Sequence, residues 1–246
     1  MILAAGEGSR LRPSNGGVPK PLTPLLGLTL LERVILSCRE AGVVTCYVVI
    51  GCEKDKIVAH LDEIVGRTGM RVRTIENPMW EKGSGSSALA VAPYLTGPFL
   101  LLMSDIVFDP DILCLLIEGR ERTSTNIMAV DRRTDEVFDL EDSTKVQLEE
   151  GRIIQYGKRI TSFNVVATGH FVCQPTLFKA LEKARRLGDG TIDGGHRELA
   201  VMNEIVTMDI GNRFWIDVDT GEALLHAKQV LLAELNKRGE PGIGGL

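Results

Sequence analysis

The chain has 246 residues and a net charge of −5, from 28 Lys and Arg against 33 Asp and Glu. Hydrophobic residues make up 44% and charged residues 25%, ordinary globular usage that excludes a disordered or fibrous chain. With a pI near 5.5 there is no basic footprint for nucleic acid, and no apolar run approaches the roughly 20 residues that span a bilayer.

Ile2–Ala5 reads as a short apolar strand running into the glycine-bearing stretch Gly6-Glu7-Gly8-Ser9-Arg10. Helical periodicity over Leu30–Ala41 leads to a strand at Thr45–Ile50 and a helix at Lys54–Val65. A strand at Arg71–Ile75, a helix at Ser86–Tyr94 and a strand at Phe99–Met103 follow. This alternation predicts a doubly wound α/β fold with a mostly parallel mixed sheet, because parallel neighbours need crossover helices. Beyond Asp109 the rhythm changes. Thr144–Leu148 and Arg152–Tyr156 flank Glu149-Glu150-Gly151 and predict a hairpin. Next come a strand at Val165–Cys173, a helix from Pro175 to Arg186, a Gly- and Asp-rich loop over Gly188–His196, a strand at Glu204–Asp209 and a helix from Thr220 to Lys237. Residues 1–237 read as a single domain with a β-rich insertion, and 238–246 as a Gly-rich tail or linker. Cys38, Cys46, Cys52, Cys114 and Cys173 are odd in number with no CxxC spacing, and no basic n-region follows Met1, so a cytoplasmic protein with reduced thiols is expected.

The chemistry concentrates in Leu3-Ala4-Ala5-Gly6-Glu7-Gly8-Ser9-Arg10-Leu11-Arg12-Pro13 and in Pro19-Lys20-Pro21-Leu22. A strand ending in small residues leaves room for a nucleobase, and Gly6 and Gly8 let the backbone curl so that N–H groups face phosphate oxygens. Arg10 supplies a forked cation, and Lys20 a point charge on a proline-stiffened segment. A P-loop is excluded because no Gly-Lys-Ser/Thr occurs, and GxGxxG would need glycine where Leu11 stands. An isolated GxG also suits a bare turn; Arg10 and the Pro-Lys-Pro-Leu box together point instead to a phosphate ligand.

LAAGxGxRLxP followed by PKPL resembles the sugar-phosphate nucleotidylyltransferases. The likeness covers nearly the whole chain, through Glu81-Lys82-Gly83-Ser84-Gly85, Met103-Ser104-Asp105 and Trp215-Ile216-Asp217-Val218-Asp219-Thr220. Within that superfamily the chain is similar to the CTP:inositol-1-phosphate cytidylyltransferase family, on Ser143–Val146 leading to Glu150–Ile153, on Tyr156-Gly157-Lys158, and on Phe163–Gly169. It departs from the pattern at Ser104, where many relatives have glycine, in the Ser14–Val18 loop, which lacks a common threonine, and in having few residues before Ile2.

The resemblance implies Mg²⁺-dependent transfer of CMP from CTP to inositol 1-phosphate, giving CDP-inositol and pyrophosphate by direct displacement. It places Arg10 on the β/γ-phosphates and Lys20 on the α-phosphate. Leu3, Ala4, Ala5, Gly6, Gly8, Gly83, Ser84 and Ser86 are implied to bind the nucleotide, and Lys158, Thr168 and Gly169 the acceptor. Asp105 is implied as the first metal ligand and Asp219 as the second, with Asp217 close behind.

Read by position alone, Asp105 suits the carboxyl end of a strand, where open α/β sheets place ligands, and equally a turn or helix cap. Asp217 and Asp219 share a face if their stretch is extended, while Asp219 or Thr220 also suits a cap. Ser84 or Ser86 starts a helix, an exposed Lys158 is commonly plain surface, and glycine within a strand suggests close approach at Gly169. His60 and His226 read as surface or packing residues and His170 as pointing away from the Gly169 face. His196, in the Gly-rich loop, is a lesser candidate for an acceptor hydroxyl.

Two alternatives stay open. One is another sugar- or alcohol-phosphate nucleotidyltransferase, taking hexose 1-phosphate with UTP, dTTP or GTP, or phosphocholine with CTP. The other is a catalytically silent nucleotide sensor, which would be expected to lose the arginine, lysine or metal aspartates. The expected partners are small molecules, with neither nucleic acid nor membrane insertion. Fusion or coupling to a membrane phosphotransferase, in compatible-solute or phospholipid biosynthesis, follows from the resemblance, and a homodimer is left open.

Overall fold

The computed structural model describes residues 1–237; the predicted tail at 238–246 lies outside the described residues. The elements in order are β1 (Ile2–Ala4), β2 (Pro24–Leu25), β3 (Leu28–Thr29), α1 (Leu30–Glu40), β4 (Thr45–Ile50), α2 (Lys54–Thr68), β5 (Arg71–Glu76) and α3 (Ser84–Ala90). There follow β6 (Phe99–Met103), β7 (Ile106–Phe108), α4 (Asp111–Arg120), β8 (Asn126–Asp131), β9 (Lys145–Glu149) and β10 (Arg152–Gly157). The chain then forms β11 (Val165–Cys173), α5 (Thr176–Arg186), α6 (Ile192–Val201), β12 (Ile205–Asp209), β13 (Trp215–Asp217) and α7 (Gly221–Lys237).

A nine-stranded sheet runs β10-β9-β11-β6-β1-β4-β5, with β8 pairing β11 and β12 pairing β8. β6, β1, β4 and β5 run parallel to one another, as the βα alternation predicts. β11 is antiparallel to β6, β8 and β9 and joins the two halves. Its first two residues pair with β9 and its last four with β6, while β8 runs along the other edge. Alternate residues of each strand enter opposite cores. Leu3 and Ala5 face a cluster holding Ala88 of α3, Leu177 and Leu181 of α5 and Leu199 of α6. Ile2 and Ala4 face Leu31 and Ile35 of α1, Ile57 and Leu61 of α2 and Leu116 of α4. Covering on both faces is why these strands lack polar alternation. A third cluster seats α7 through Ala227 on Leu11, Leu30, Val107, Ile216 and Val218.

The structure corrects the sequence reading in three places. The predicted loop over Gly188–His196 is a loop only as far as Thr191, where α6 begins; the Thr191 hydroxyl caps it by accepting from Gly194 N at 3.1 Å. Its glycines serve close packing, since a Cβ on Gly195 would lie 2.6 Å from Leu181 Cδ2 of α5. α4 and β8 carry no prediction, because α4 is apolar around much of its circumference and β8 is buried at all six positions. The helix placed at Ser86–Tyr94 begins at Ser84 and gives way to a 3-10 turn at Ala92–Tyr94, where Pro93 cannot continue it.

Candidate active site

The loop after β1 is held by its own backbone, with Leu11 N donating to Gly8 O at 3.2 Å, and by Leu11, which is fully buried under α7. Gly8 has φ +63°, and a side chain there would collide with Lys20. Lys20 opens a single 3-10 turn, Lys20–Leu22, bracketed by Pro19 and Pro21. Its side chain is 9% exposed and points at the carboxyl end of the parallel strands. Asp105 stands there, two residues past the end of β6, with its Oδ2 2.6 Å from Lys20 Nζ. Asp219 also pairs with Lys20, and Asp217 Oδ1 lies 3.8 Å away.

The two later aspartates arrive because β13 pairs antiparallel with β7, directly after Asp105. Val218 N donates to the Asp105 carbonyl at 3.0 Å and fixes the approach of the two segments. One carboxylate oxygen from each of Asp105, Asp217 and Asp219 lies within 4.8 Å of the others. Burial opposes the charge on Lys20, yet Asp105, Asp217 and Asp219 raise its pKa above the usual lysine range. Desolvation by the cleft walls, then Asp105 and Asp219, push the Asp217 carboxyl up to about 7. With 49% of that side chain open to water, crowding by like charge is the cause that stands. Three carboxylates facing a single ammonium form a hard-oxygen donor set with surplus negative charge, and this fits a divalent cation.

Arg10 extends the site sideways. One guanidinium nitrogen pairs with Asp219 and the other with Asp142 Oδ2 at 2.6 Å. Asp142 Oδ1 in turn lies 2.9 Å from Lys158 Nζ. Hydrogen bonding to Asp142, against partial desolvation, raises the Arg10 pKa. Desolvation also opposes the charge on Asp142, but Arg10 and Lys158 hold its carboxyl below the usual range. Lys20, Asp219, Arg10, Asp142 and Lys158 thus form a line of alternating charge.

The line joins two cavities. One, of about 250 Å³, is bordered by Leu3, Ala4, Gly6, Gly8, Arg10, Lys20 and Asp105. The other, of about 340 Å³, is bordered by Ser84, Thr144, Lys158, Thr168, Gly169 and Asp193, with Phe138, Tyr156, Phe171 and Trp215 supplying aromatic walls. Asp219 borders both. Gly169 has φ +79° at the point where the β11–β8 register shifts, and Ile106 packs where its side chain would be. The resulting bulge opens the second cavity against the sheet.

Not every predicted contact is available. The Ser86 hydroxyl sits among the Met79 and Gly83 carbonyls and the Asn77 amide, so it ties the 77–83 segment to α3. Gly83, with φ +101°, packs against the Gly190 carbonyl, and Ser84 Oγ accepts from Ile192 N at 3.0 Å while bordering the second cavity. Ala5 faces the core, so its size answers to packing there. The Thr168 hydroxyl is fully buried and donates to the Ala129 carbonyl at 3.3 Å. His196 lies within α6 at 1% exposure behind Phe171 and Tyr156 and does not border the cavity, so it does not reach an acceptor hydroxyl there. Asp142 and Asp193 were missed. Asp193 accepts from Tyr156 Oη at 2.8 Å and Thr144 Oγ1 at 3.3 Å on the floor of the second cavity. Neither stands in a spacing that marks it in one dimension.

A family profile described as the MobA-like NTP transferase domain matches residues 1–204. The bifunctional IPC transferase and DIPP synthase of Rubrobacter xylanophilus is 33% identical over 237 residues, covering 94% of this chain and 51% of that protein. Its namesake from Aquifex aeolicus is 31% identical over 233 residues, again covering 94% and 51%. The chain therefore spans about half the length of the curated relatives it matches. The solved inositol-1-phosphate CTP transferase from T. maritima superposes with a TM-score of 0.79 at 25% identity, over 93% of this chain and 95% of that one. The architecture is the Rossmann-like fold of the nucleotide-diphospho-sugar transferases.

Proposed function

The chain belongs to the MobA-like NTP transferase family, and on that premise we propose that it transfers CMP from CTP to inositol 1-phosphate, releasing pyrophosphate and CDP-inositol. The observation that carries this reading is the 2.6 Å pairing of Lys20 with Asp105 beside the Gly8 turn, in a cavity that shares Asp219 with a second one large enough for a cyclic polyol.

In the proposed reaction a phosphate oxygen of the acceptor attacks the α-phosphorus. The bond to the β-phosphate oxygen breaks, and pyrophosphate leaves with that electron pair. Attack of one anion on another makes neutralisation and in-line placement the main catalytic terms. Gly6 and Gly8 leave backbone N–H groups open to phosphate oxygens, Arg10 takes the β/γ-phosphates, and Lys20 is kept protonated beside the α-phosphate. Leu3 and Ala4 border the nucleotide, Ser84 borders the second cavity, and Gly83 sets the backbone that leads into it. Lys158 meets the acceptor phosphate, and the bulge at Thr168–Gly169 receives its ring. Mg²⁺, held by Asp105 and Asp219 with Asp217 beside them, would supply the remaining charge neutralisation of the triphosphate. Residues 1–237 act as one catalytic domain in the cytoplasm, feeding CDP-inositol to a membrane phosphotransferase in compatible-solute or phospholipid synthesis. No helix among the described residues is long and apolar enough to cross a membrane.

The four aromatic rings bordering the second cavity also favour a quaternary ammonium, which makes phosphocholine the second acceptor to test. Pyrophosphate release across four NTPs and a panel of acceptor phosphates decides the matter. CTP with inositol 1-phosphate is expected to be the fastest pair. No release with any pair would overturn the enzymatic reading.

A further inference from the structure

Asp142 belongs to a strap, residues 132–144, that leaves β8 and borders the second cavity through Phe138, Asp139, Asp142, Ser143 and Thr144 before entering β9. The strap is pinned at its start by Arg133, whose guanidinium donates to Asp131 at 2.8 Å, and at its middle by Phe138, stacked on His226 of α7 at 4.6 Å between ring centroids. Near its end the Asp142 carboxylate lies between Arg10 and Lys158, one oxygen to each, at 2.6 and 2.9 Å. Those cations border different cavities, Arg10 the first and Lys158 the second. Arg10 is on the loop after β1, and Lys158 follows β10.

An anion held by a guanidinium on one side and an ammonium on the other is the arrangement in which a phosphate monoester is bound. A carboxylate matches two of its oxygens. Lys158 makes no other ion pair among the described residues, and the other partner of Arg10, Asp219, belongs to the carboxylate cluster. We propose that Asp142 is an internal stand-in for the acceptor phosphate, occupying the seat between Arg10 and Lys158 until a phosphorylated ligand displaces it. This rests on the acceptor assignment made above and adds a residue and a role to it. Because the strap is anchored at Arg133 and Phe138, release requires only that the Asp142 side chain rotate out. Asp142 is accordingly a positioning residue that competes with substrate.

The test is calorimetric titration of the whole protein and of Asp142→Asn, without nucleotide, using inositol 1-phosphate, myo-inositol and inorganic phosphate. Partly exposed ion pairs are individually weak, so Asp142→Asn is expected to bind inositol 1-phosphate and inorganic phosphate roughly threefold to tenfold more tightly. Affinity for unphosphorylated inositol should stay unchanged. Adding Lys158→Met should abolish the gain, and a melting curve checks that each variant is folded. If inositol 1-phosphate binds neither form while inorganic phosphate still binds Asp142→Asn more tightly, the acceptor assignment falls and the role of Asp142 stands. Unchanged or weaker phosphate binding in Asp142→Asn, or an equal gain for myo-inositol, overturns the role itself.

Discussion

Gly8 and Lys20 are packed so closely that a methyl group on Gly8 would occupy the space of the Lys20 side chain. The turn and the lysine therefore form one mechanical unit. Gly8→Ala is expected to lower turnover at least tenfold by shifting Lys20 from Asp105. Its positive φ adds a stability cost of about 1 kcal/mol. Pyrophosphate release and thermal melting read the two effects separately, and turnover within twofold of the parent would refute the coupling.

Lys20 is the only cation within ion-pair distance of all three clustered aspartates among the described residues. Lys20→Ala should lower turnover by about 10³-fold or more, in keeping with removal of a preorganised charge from the reacting centre. It should also leave the carboxylates to repel one another. The melting temperature of the variant is then expected to rise more on adding Mg²⁺ than that of the parent. Near-normal turnover would remove Lys20 from the mechanism.

Divalent binding can be followed without any reaction. Asp105→Asn and Asp219→Asn are each expected to weaken Mn²⁺ binding, measured by electron paramagnetic resonance, by at least tenfold. Asp217→Asn, whose side chain lies farthest from Lys20, should have the smallest effect of the three. An affinity insensitive to all of them would place the metal elsewhere.

Acid sensitivity is expected from two histidines at 1% exposure, His170 and His196. Burial lowers both to about 3 from the ordinary 6.5. The folded protein keeps them neutral where the unfolded chain protonates, so their stabilising contribution is complete above about pH 6.5. It is lost progressively as pH falls towards 3, at about 1.4 kcal/mol per pH unit for each histidine. Urea denaturation from pH 4 to 7 should show a shallower pH dependence in His196→Gln than in the parent. An identical slope would mean that His196 charges within the fold.

The parallel half of the sheet was legible because its strands are short apolar runs separated by amphipathic helices, and β1, β4 and β6 fall within a residue of their expected limits. β8 was hidden by its uniform burial. The start of α6 was hidden because Gly194 and Gly195 resemble loop composition, while Gly195 serves helix–helix contact with α5 and Gly194 makes room for the Asp189 side chain. In the site, Arg10, Lys20 and the three aspartates could be named because each stands in a compact local pattern. Asp142 could not, because its role is set by Arg10, 132 residues away, and no one-dimensional spacing encodes that meeting. Ser86 illustrates the reverse: a residue inside a recognisable motif whose hydroxyl is committed to the scaffold.

The line of alternating charge from Lys20 to Lys158 has a consequence for selectivity. Each cation along that line faces a carboxylate, so a stray sulfate or orthophosphate must outcompete a tethered rival at every seat it tries. A polyphosphate delivers several oxygens from one molecule and unseats those rivals together, gaining the advantage of a chelate over separate ions. Discrimination against abundant small anions is thereby built into the pairing of the cleft's own charges, apart from any recognition of the nucleobase.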